Sequence, residues 1–176
     1  MPTERAACDR LTLDQQVCFS LSVADRRVVA CYRPLLEPLG LTHPQYLVMI
    51  ALWQHAPVPM GDLGRLLVLT SGTLSPLLGR LQATGLVSRH RGPDKRTIIV
   101  DLTDNGRALR ERALHIPGRV MQGLGLDREE LTALHDRLLT LIAVADRGGP
   151  ANLGMPCGDP GPAPGTTPPG VAGDTS

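Results

Sequence analysis

Four cysteines carry the most reactive side chains of this 176-residue chain: Cys8, Cys18, Cys31 and Cys157. No two of them have the C-x-x-C spacing of a zinc site, so neither a metal nor any other cofactor is expected. The N-terminal segment is polar, and no apolar run approaches the roughly 18 residues needed to cross a bilayer. We therefore expect a cytoplasmic protein with free thiols and no membrane contact.

Cys18 is the thiol whose position favours nucleophilic chemistry. Thr12 and Asp14 indicate the start of a helix, which places Cys18 about one turn inside it. Unpaired amides and the macrodipole at a helix N-terminus favour a thiolate, which attacks a peroxide oxygen and becomes a sulfenic acid. A buried structural thiol is the commoner fate of a single cysteine, so position alone does not identify Cys18 as a sensor. Cys31, on the apolar stripe of the same helix, is interpreted as such a buried thiol.

The second feature is a concentration of positive charge in residues 61–100. The whole chain has a net charge of +1, and Lys95 is its single lysine. This segment, however, contains six basic residues and only two acidic ones, Asp62 and Asp94, so its local net charge is +4. Concentrated positive charge of this kind is typical of nucleic-acid binding. The basic residues are Arg65, Arg80, Arg89, Arg91, Lys95 and Arg96.

Apolar residues at steps of three and four predict the long helices. The first covers about residues 12–37, and the second begins at His43 behind the cap Thr42. A helix from Thr103 bends at Pro117, and a last helix begins at the capping-box pair Asp127 and Glu130. Half of the residues from 147 to 176 are Gly or Pro, so this stretch and residues 1–10 are predicted to be disordered. The folded domain is then residues 11–146.

Two short helices and a hairpin lie between the long helices. The segment of about residues 60–85 reads as helix, turn and helix, with two sets of leucines facing inward: Leu63, Leu66 and Leu67, then Leu74, Leu77, Leu78 and Leu81. Pro76 either lies inside the second helix or marks its start, and the earlier start is preferred. Two β-rich runs around Gly92-Pro93 form a hairpin over about residues 86–102. The fold class is thus mainly α with a small β-hairpin wing, a winged helix-turn-helix.

The candidate DNA contacts follow from this arrangement. Small and hydroxylated residues on the outer face of the second short helix let its backbone approach a major groove, and a basic hairpin tip can enter a minor groove. Asp94 either holds the Arg96 guanidinium in a fixed pose or simply forms a turn, and the spacing alone favours the turn. The candidates are Ser71, Thr73, Ser75, Arg80, Arg91, Asp94, Lys95 and Arg96.

The order of helices, the Asp94-Lys95-Arg96 tip and the Leu102-to-Gly106 motif (LTDNG) resemble the MarR family of bacterial regulators over residues 11–146. The segments 35–47 (LLEPLGLTHPQYL) and 71–77 (SGTLSPL) resemble its organic hydroperoxide resistance branch, OhrR. The resemblance implies a dimeric winged-helix repressor, not an enzyme. It would bind double-stranded operator DNA, release it when an organic hydroperoxide oxidises Cys18, and dimerise through helices at about residues 12–37 and 103–146.

The resemblance also implies the surroundings of the sensor. Tyr32 is the matching tyrosine that hydrogen-bonds this cysteine in relatives, whereas Ser22 and His43 stand where further tyrosines are usual. Ser22 is too short for the same contact, but His43 can still donate a hydrogen bond, so the implied sensor residues are Cys18, Tyr32 and His43. Fourteen residues of one helix span about 21 Å, so Tyr32 can meet only the Cys18 of another subunit. The same arithmetic excludes an intrachain Cys18–Cys31 disulfide. No cysteine stands near Gly123, where some relatives carry a resolving one.

We therefore favour a scheme with one cysteine, in which the sulfenic acid either forms a mixed disulfide with a small cellular thiol or is oxidised further before DNA is released. Cys157 is the alternative resolving residue. Two other functions remain open: a MarR-type repressor released by a small aromatic acid, with Cys18 structural, and a thiol peroxidase. The peroxidase would need a recycling partner for its cysteine, and none is evident in the sequence.

Overall fold

A computed structural model describes Leu13 and residues 16–148. These form two units, one ending at Leu126 and one beginning at Asp127. The first contains α1 (Val17–Leu36), a short 3-10 helix (Glu37–Leu39), α2 (His43–His55), β1 (Val58–Pro59), α3 (Met60–Leu67), α4 (Ser71–Ala83), β2 (Val87–Arg91), β3 (Ile98–Leu102), α5 (Asp104–Ala113) and α6 (Ile116–Leu124). The second contains α7 (Arg128–Gly148). The mainly α fold with a small β wing is confirmed.

The core of the first unit lies around α2. Val48, Met49 and Leu52 are at most 1% exposed and pack with buried residues of α3, α4 and the sheet. The predicted inward face of α4 is confirmed for Leu74, Leu78 and Leu81, whereas Leu77 is half-buried. The prediction was wrong for Leu66, which is 51% exposed. The reason is that α3 ends at Leu67, so this two-turn helix buries a single stripe around Leu63.

The wing is a three-stranded antiparallel sheet in the order β1-β3-β2. In the predicted hairpin, Val87 pairs with Leu102 and Arg91 with Ile98. The additional strand β1 pairs Val58 with Val100. The sequence did not indicate β1, because this two-residue strand follows Pro57, contains Pro59 and is too short to show an alternating pattern. This extra pairing anchors the base of the wing beside the start of α3.

Helix starts follow the predicted caps. The Thr42 N–H donates to Oε1 of Gln45 at 2.8 Å, and α2 begins at His43 as predicted. The Thr70 hydroxyl accepts from the Thr73 N–H at 3.3 Å, so the earlier start of α4 is confirmed and Pro76 lies inside the helix. In the second unit, Asp127 and Glu130 accept each other's backbone N–H groups at 2.9 and 2.8 Å, which is the expected capping box.

The helix predicted to bend at Pro117 is two separate helices. The first, α5, ends at Ala113 and α6 begins at Ile116, with Pro117 in its first turn, where the missing N–H costs nothing. The start of α5 is tied to two other elements. The Thr103 hydroxyl donates to the Gly85 carbonyl at 2.6 Å, and Trp53 Nε1 donates to the Gly106 carbonyl at 2.8 Å.

The first and last helices keep apolar side chains on their surfaces. In α1 only Leu36 is buried, and in α7 no residue is. The exposed α7 side chains include Leu134, Leu138 and Leu141. Two boundaries differ from expectation, since α1 begins at Val17 rather than near residue 12, and α7 continues through Arg147 to Gly148. Residues 1–12, 14, 15 and those beyond 148 lie outside the described residues, so the predicted start signals Thr12 and Asp14 and the cysteines Cys8 and Cys157 are not described.

No helix in the described ranges is long and apolar enough to span a membrane. Within the same ranges, no three His, Cys, Asp or Glu side chains cluster as metal ligands would.

Candidate functional site

The outer face of α4 carries the predicted groove-facing residues. Ser71, Thr73 and Arg80 are exposed, and Ser75 is half-buried. At about 100° per residue, Ser71 and Ser75 lie along one edge of the leucine stripe of α4, and Thr73 and Arg80 lie along the other edge. The four side chains therefore border the solvent-facing side of the helix from both edges. The Thr73 hydroxyl lies 3.1 Å from that of Thr70. The face therefore offers hydroxyl groups and one guanidinium on a helix whose own start is capped.

The wing tip is organised by Asp94, but through the backbone. Its Oδ1 accepts from the N–H groups of Arg96 at 3.2 Å and Thr97 at 2.9 Å, and its Oδ2 accepts from the Thr97 hydroxyl at 2.6 Å. This hydroxyl, followed by the backbone N–H of Thr97, holds the pKa of the Asp94 carboxyl below its usual value. The described ion pairs do not include one between Asp94 and Arg96. Of the two roles considered for Asp94, the structure shows the turn-forming one.

This turn positions the cationic residues of the wing. Lys95 adopts a left-handed conformation with φ 56, and its N–H donates to the Gly92 carbonyl at 2.9 Å. Its own carbonyl accepts from Arg91 Nη1 at 3.0 Å. Arg91, Lys95 and Arg96 are all exposed. The hairpin thus carries three of the predicted DNA-contacting cations at one end of the unit.

Two residues outside the predicted set join the wing to α4. Arg89 Nε donates to Oε1 of Gln82 at 2.6 Å. The two side chains come from β2 and from the last turn of α4, so no short sequence pattern relates them. Arg89 contributed to the local charge, but Gln82 gave no signal in the sequence.

Cys18 lies in the first turn of α1, and its side chain is exposed. Backbone N–H groups of a first turn have no partner within their own helix. Because α1 starts at Val17, Cys18 is closer to this end than the sequence predicted. The Ser22 hydroxyl donates to the Cys18 carbonyl at 2.8 Å, so its hydrogen bond is made within its own helix.

Tyr32 and His43 form a ring pair. Their centroids are 4.8 Å apart with planes inclined at 55°, and Tyr46 lies 6.0 Å beyond Tyr32. Burial raises the pKa of the Tyr32 phenol. Burial also lowers the pKa of the His43 imidazole, against the opposing effect of the Asp25 carboxylate. The pair is therefore a neutral, aromatic part of the surface at neutral pH.

The structure does not bring Cys18 and Tyr32 of one chain together. Both lie on the single uninterrupted helix α1, about 21 Å apart by helix rise. His43 instead lines an open groove of about 670 Å³ between α1 and the start of α2, with Val29, Ala30 and Leu41 on its apolar wall. Cys31 is half-buried against the core, as expected, with its thiol 3.4 Å from the Arg27 carbonyl.

Comparison with known proteins connects these features to a family. A family model described as transcriptional regulator SarA/Rot matches residues 30–112. The organic hydroperoxide resistance transcriptional regulator of Bacillus subtilis strain 168 is 39% identical over 138 residues, which is 76% of this chain and 92% of that protein.

Solved structures agree with this relationship. A probable transcriptional regulator from Pseudomonas aeruginosa superimposes with a TM-score of 0.68 at 31% identity, over 74% of this chain and 99% of that one. Reduced AbfR of Staphylococcus epidermidis bound to DNA gives a TM-score of 0.64 at 31% identity, over 79% of this chain and 98% of that one. From its fold and these similarities, the chain belongs to the MarR family of winged-helix transcriptional regulators, in the organic hydroperoxide resistance branch.

Proposed function

We propose that this protein is a dimeric repressor that binds operator DNA in the reduced state and releases it when an organic hydroperoxide oxidises Cys18. The observation that carries the proposal is the exposed thiol in the first turn of α1, on the helix that also carries Tyr32. The name of the Bacillus subtilis relative supports the class of inducer.

The DNA-binding half of the proposal is supported by the winged-helix unit. The α4 face would enter the major groove, with Ser71, Thr73, Ser75 and Arg80 reaching base edges and phosphates. The wing would place Arg96 in the adjacent minor groove, on a tip preset by Asp94 and flanked by Arg91 and Lys95. AbfR, which shares this fold, has been crystallised bound to DNA, and this supports the same kind of partner here.

The sensor half requires a second copy of the chain. Tyr32 can donate a hydrogen bond to the Cys18 thiolate only if the two residues belong to different subunits, because they are about 21 Å apart in one chain. The groove beside His43 is open to receive the start of a second α1. The exposed apolar side chains of α1 and α7 would be covered in the same dimer.

The chemistry is a two-electron oxidation of sulfur. The Cys18 thiolate attacks the terminal hydroperoxide oxygen, the O–O bond breaks, and the departing alkoxide takes a proton to become an alcohol. Cys18 is left as a sulfenic acid. A low-molecular-weight thiol then forms an S–S bond with this sulfur, and water leaves. Either product places polar bulk at the subunit interface and alters the separation of the two recognition helices, which must span about 34 Å on the duplex.

A second candidate is release of DNA by a small aromatic acid. The groove between α1 and α2 favours it, since about 670 Å³ with a largely apolar wall accommodates a small organic molecule. In this case Cys18 would have no part in induction. The known relatives are transcriptional regulators, which gives no support to the thiol peroxidase considered from sequence.

Gel shifts on the DNA upstream of the chain's own gene test both candidates. We expect cumene hydroperoxide to release wild type and Cys31→Ser, the matched control, but not Cys18→Ser. We expect salicylate to release none of them. Release of Cys18→Ser by hydroperoxide would refute the sensor, and release of every variant by salicylate alone would establish the second candidate.

A further inference from the structure

A cleft of about 380 Å³ lies between the end of α4 and the wing. Basic side chains dominate its lining, and none of the described residues around it carries a carboxylate; the polar lining is Gln82, Arg89, His90, Arg91, Lys95 and Arg96. The described ion pairs involve only Arg65 and Arg107 as cations, so no carboxylate in these pairs neutralises the arginines or the lysine of the cleft. Unneutralised charge facing one cavity points to an anionic occupant.

Two of these cations are held in place before any ligand binds. Arg89 donates through Nε to Gln82 at 2.6 Å, and Arg91 donates through Nη1 to the Lys95 carbonyl at 3.0 Å. A guanidinium has five N–H donors, so each retains about four for a ligand. Fixed guanidinium groups suit phosphate oxygens, because planar paired donors match their geometry.

The position of the cleft identifies the anion. A helix in the major groove and a wing in the minor groove lie on either side of one sugar-phosphate strand. In this protein the two elements are α4 and the wing, and the cleft lies between them. A phosphodiester backbone is the anion that this geometry places there.

We propose that the cleft binds phosphates of the strand between the two grooves, and that Gln82 is a positioning residue that orients Arg89 toward them. The inference rests on the proposed function, since it requires duplex DNA against α4 and the wing. It adds Arg89 as a phosphate-binding residue and a side-chain link between the two DNA-binding elements. Phosphate binding of this kind fixes the register of the protein on DNA without reading sequence.

The test measures affinity by fluorescence anisotropy over a range of KCl concentrations. Two duplexes are compared, one from upstream of the chain's own gene and one of scrambled sequence. The slope of log K against log salt is negative in wild type. Arg89→Gln should make it shallower by about 0.9 for each phosphate that Arg89 neutralises, equally for both duplexes. Gln82→Leu, which removes the hydrogen bond but no charge, should also make the slope shallower.

Arg110→Gln is the matched control, because it removes the same charge from an exposed position of α5 outside the cleft. Its slope should equal that of wild type. An Arg89→Gln slope equal to the control, or a loss of affinity confined to the upstream duplex, would overturn the phosphate site. An unchanged slope in Gln82→Leu would overturn the positioning role. Failure of wild type to bind either duplex would instead contradict the proposed function itself.

Discussion

The recognition helix α4 and the first helix α1 place their apolar residues in opposite environments. In α4, Leu74, Leu78 and Leu81 are at most 1% exposed. In α1, Val17 is 61% exposed and Phe19 40%. The helix α4 is thus packed within one chain, whereas α1, which carries Cys18, is not. Under the proposed function, each chain presents a complete DNA-binding face, whereas sensing by Cys18 depends on a second copy of the chain.

The largest effect should come from the contact between α5 and the segment that leads from α4 into β2. A Cβ at Gly106 would collide with the Leu86 carbonyl oxygen, which is backbone and cannot move aside cheaply. We expect Gly106→Ala to lower the free energy of unfolding by about 3 kcal/mol or more, measured by urea denaturation. Gly118→Ala is the control, since its Cβ would meet nothing within 4 Å and should stabilise α6 by about 0.5–1 kcal/mol. Equal stability of the two variants would contradict the account of this contact.

The second prediction concerns α7, which, like α1, keeps apolar side chains exposed. Leu138 is 36% exposed on the apolar stripe of α7, and Leu138→Glu should weaken the dimer by at least about 2 kcal/mol, because a buried leucine contributes that much. Sedimentation equilibrium measures the change. Thr140→Glu adds the same charge on the opposite side of α7 and should leave the dimer intact. Dimerisation of Leu138→Glu at wild-type affinity would exclude this stripe from the interface.

A smaller effect should distinguish the two roles considered for Asp94. Asparagine keeps the acceptor for the Arg96 and Thr97 N–H groups, whereas alanine removes it. We expect Asp94→Ala to weaken DNA binding by less than the two effects above, and Asp94→Asn to retain most of the affinity. If Asp94 acted by pairing with a guanidinium instead, both variants would lose affinity equally in the same anisotropy titration.

The smallest effect is a pH dependence at His43. Burial lowers its pKa in the folded chain, so the unfolded chain binds the proton more readily. The free energy of unfolding is therefore unaffected by His43 protonation above the pKa of the unfolded chain, about 6.5. It decreases as pH falls through the lower pKa of His43 in the folded chain. His43→Phe should flatten this part of the stability curve, measured by thermal denaturation between about pH 5 and pH 8. His55→Phe is the control, and an unchanged curve in His43→Phe would remove the assignment.

Features determined by local chemistry were predictable from the sequence. The Thr42 cap, the Asp127–Glu130 capping box and the leucine stripe of α4 each depend on neighbours within a few residues. The strand β1, the Gln82–Arg89 hydrogen bond and the approach of Gly106 to Leu86 depend on distant segments, and no periodicity reveals them. The turn-forming role of Asp94 was favoured by its spacing, but only the folded turn shows which donors reach its carboxylate.

The measurement that tests the central claim most directly uses purified heterodimers carrying Cys18→Ser and Tyr32→Phe. With the substitutions on different chains, the remaining Cys18 faces an intact Tyr32 of its partner if sensing crosses the interface. With both on one chain, the remaining Cys18 faces the substituted position. We predict that sulfenic acid forms at the wild-type rate per site in the first heterodimer and more slowly in the second. The reverse order would show that each Cys18 depends on the Tyr32 of its own chain and would contradict a sensor shared between subunits.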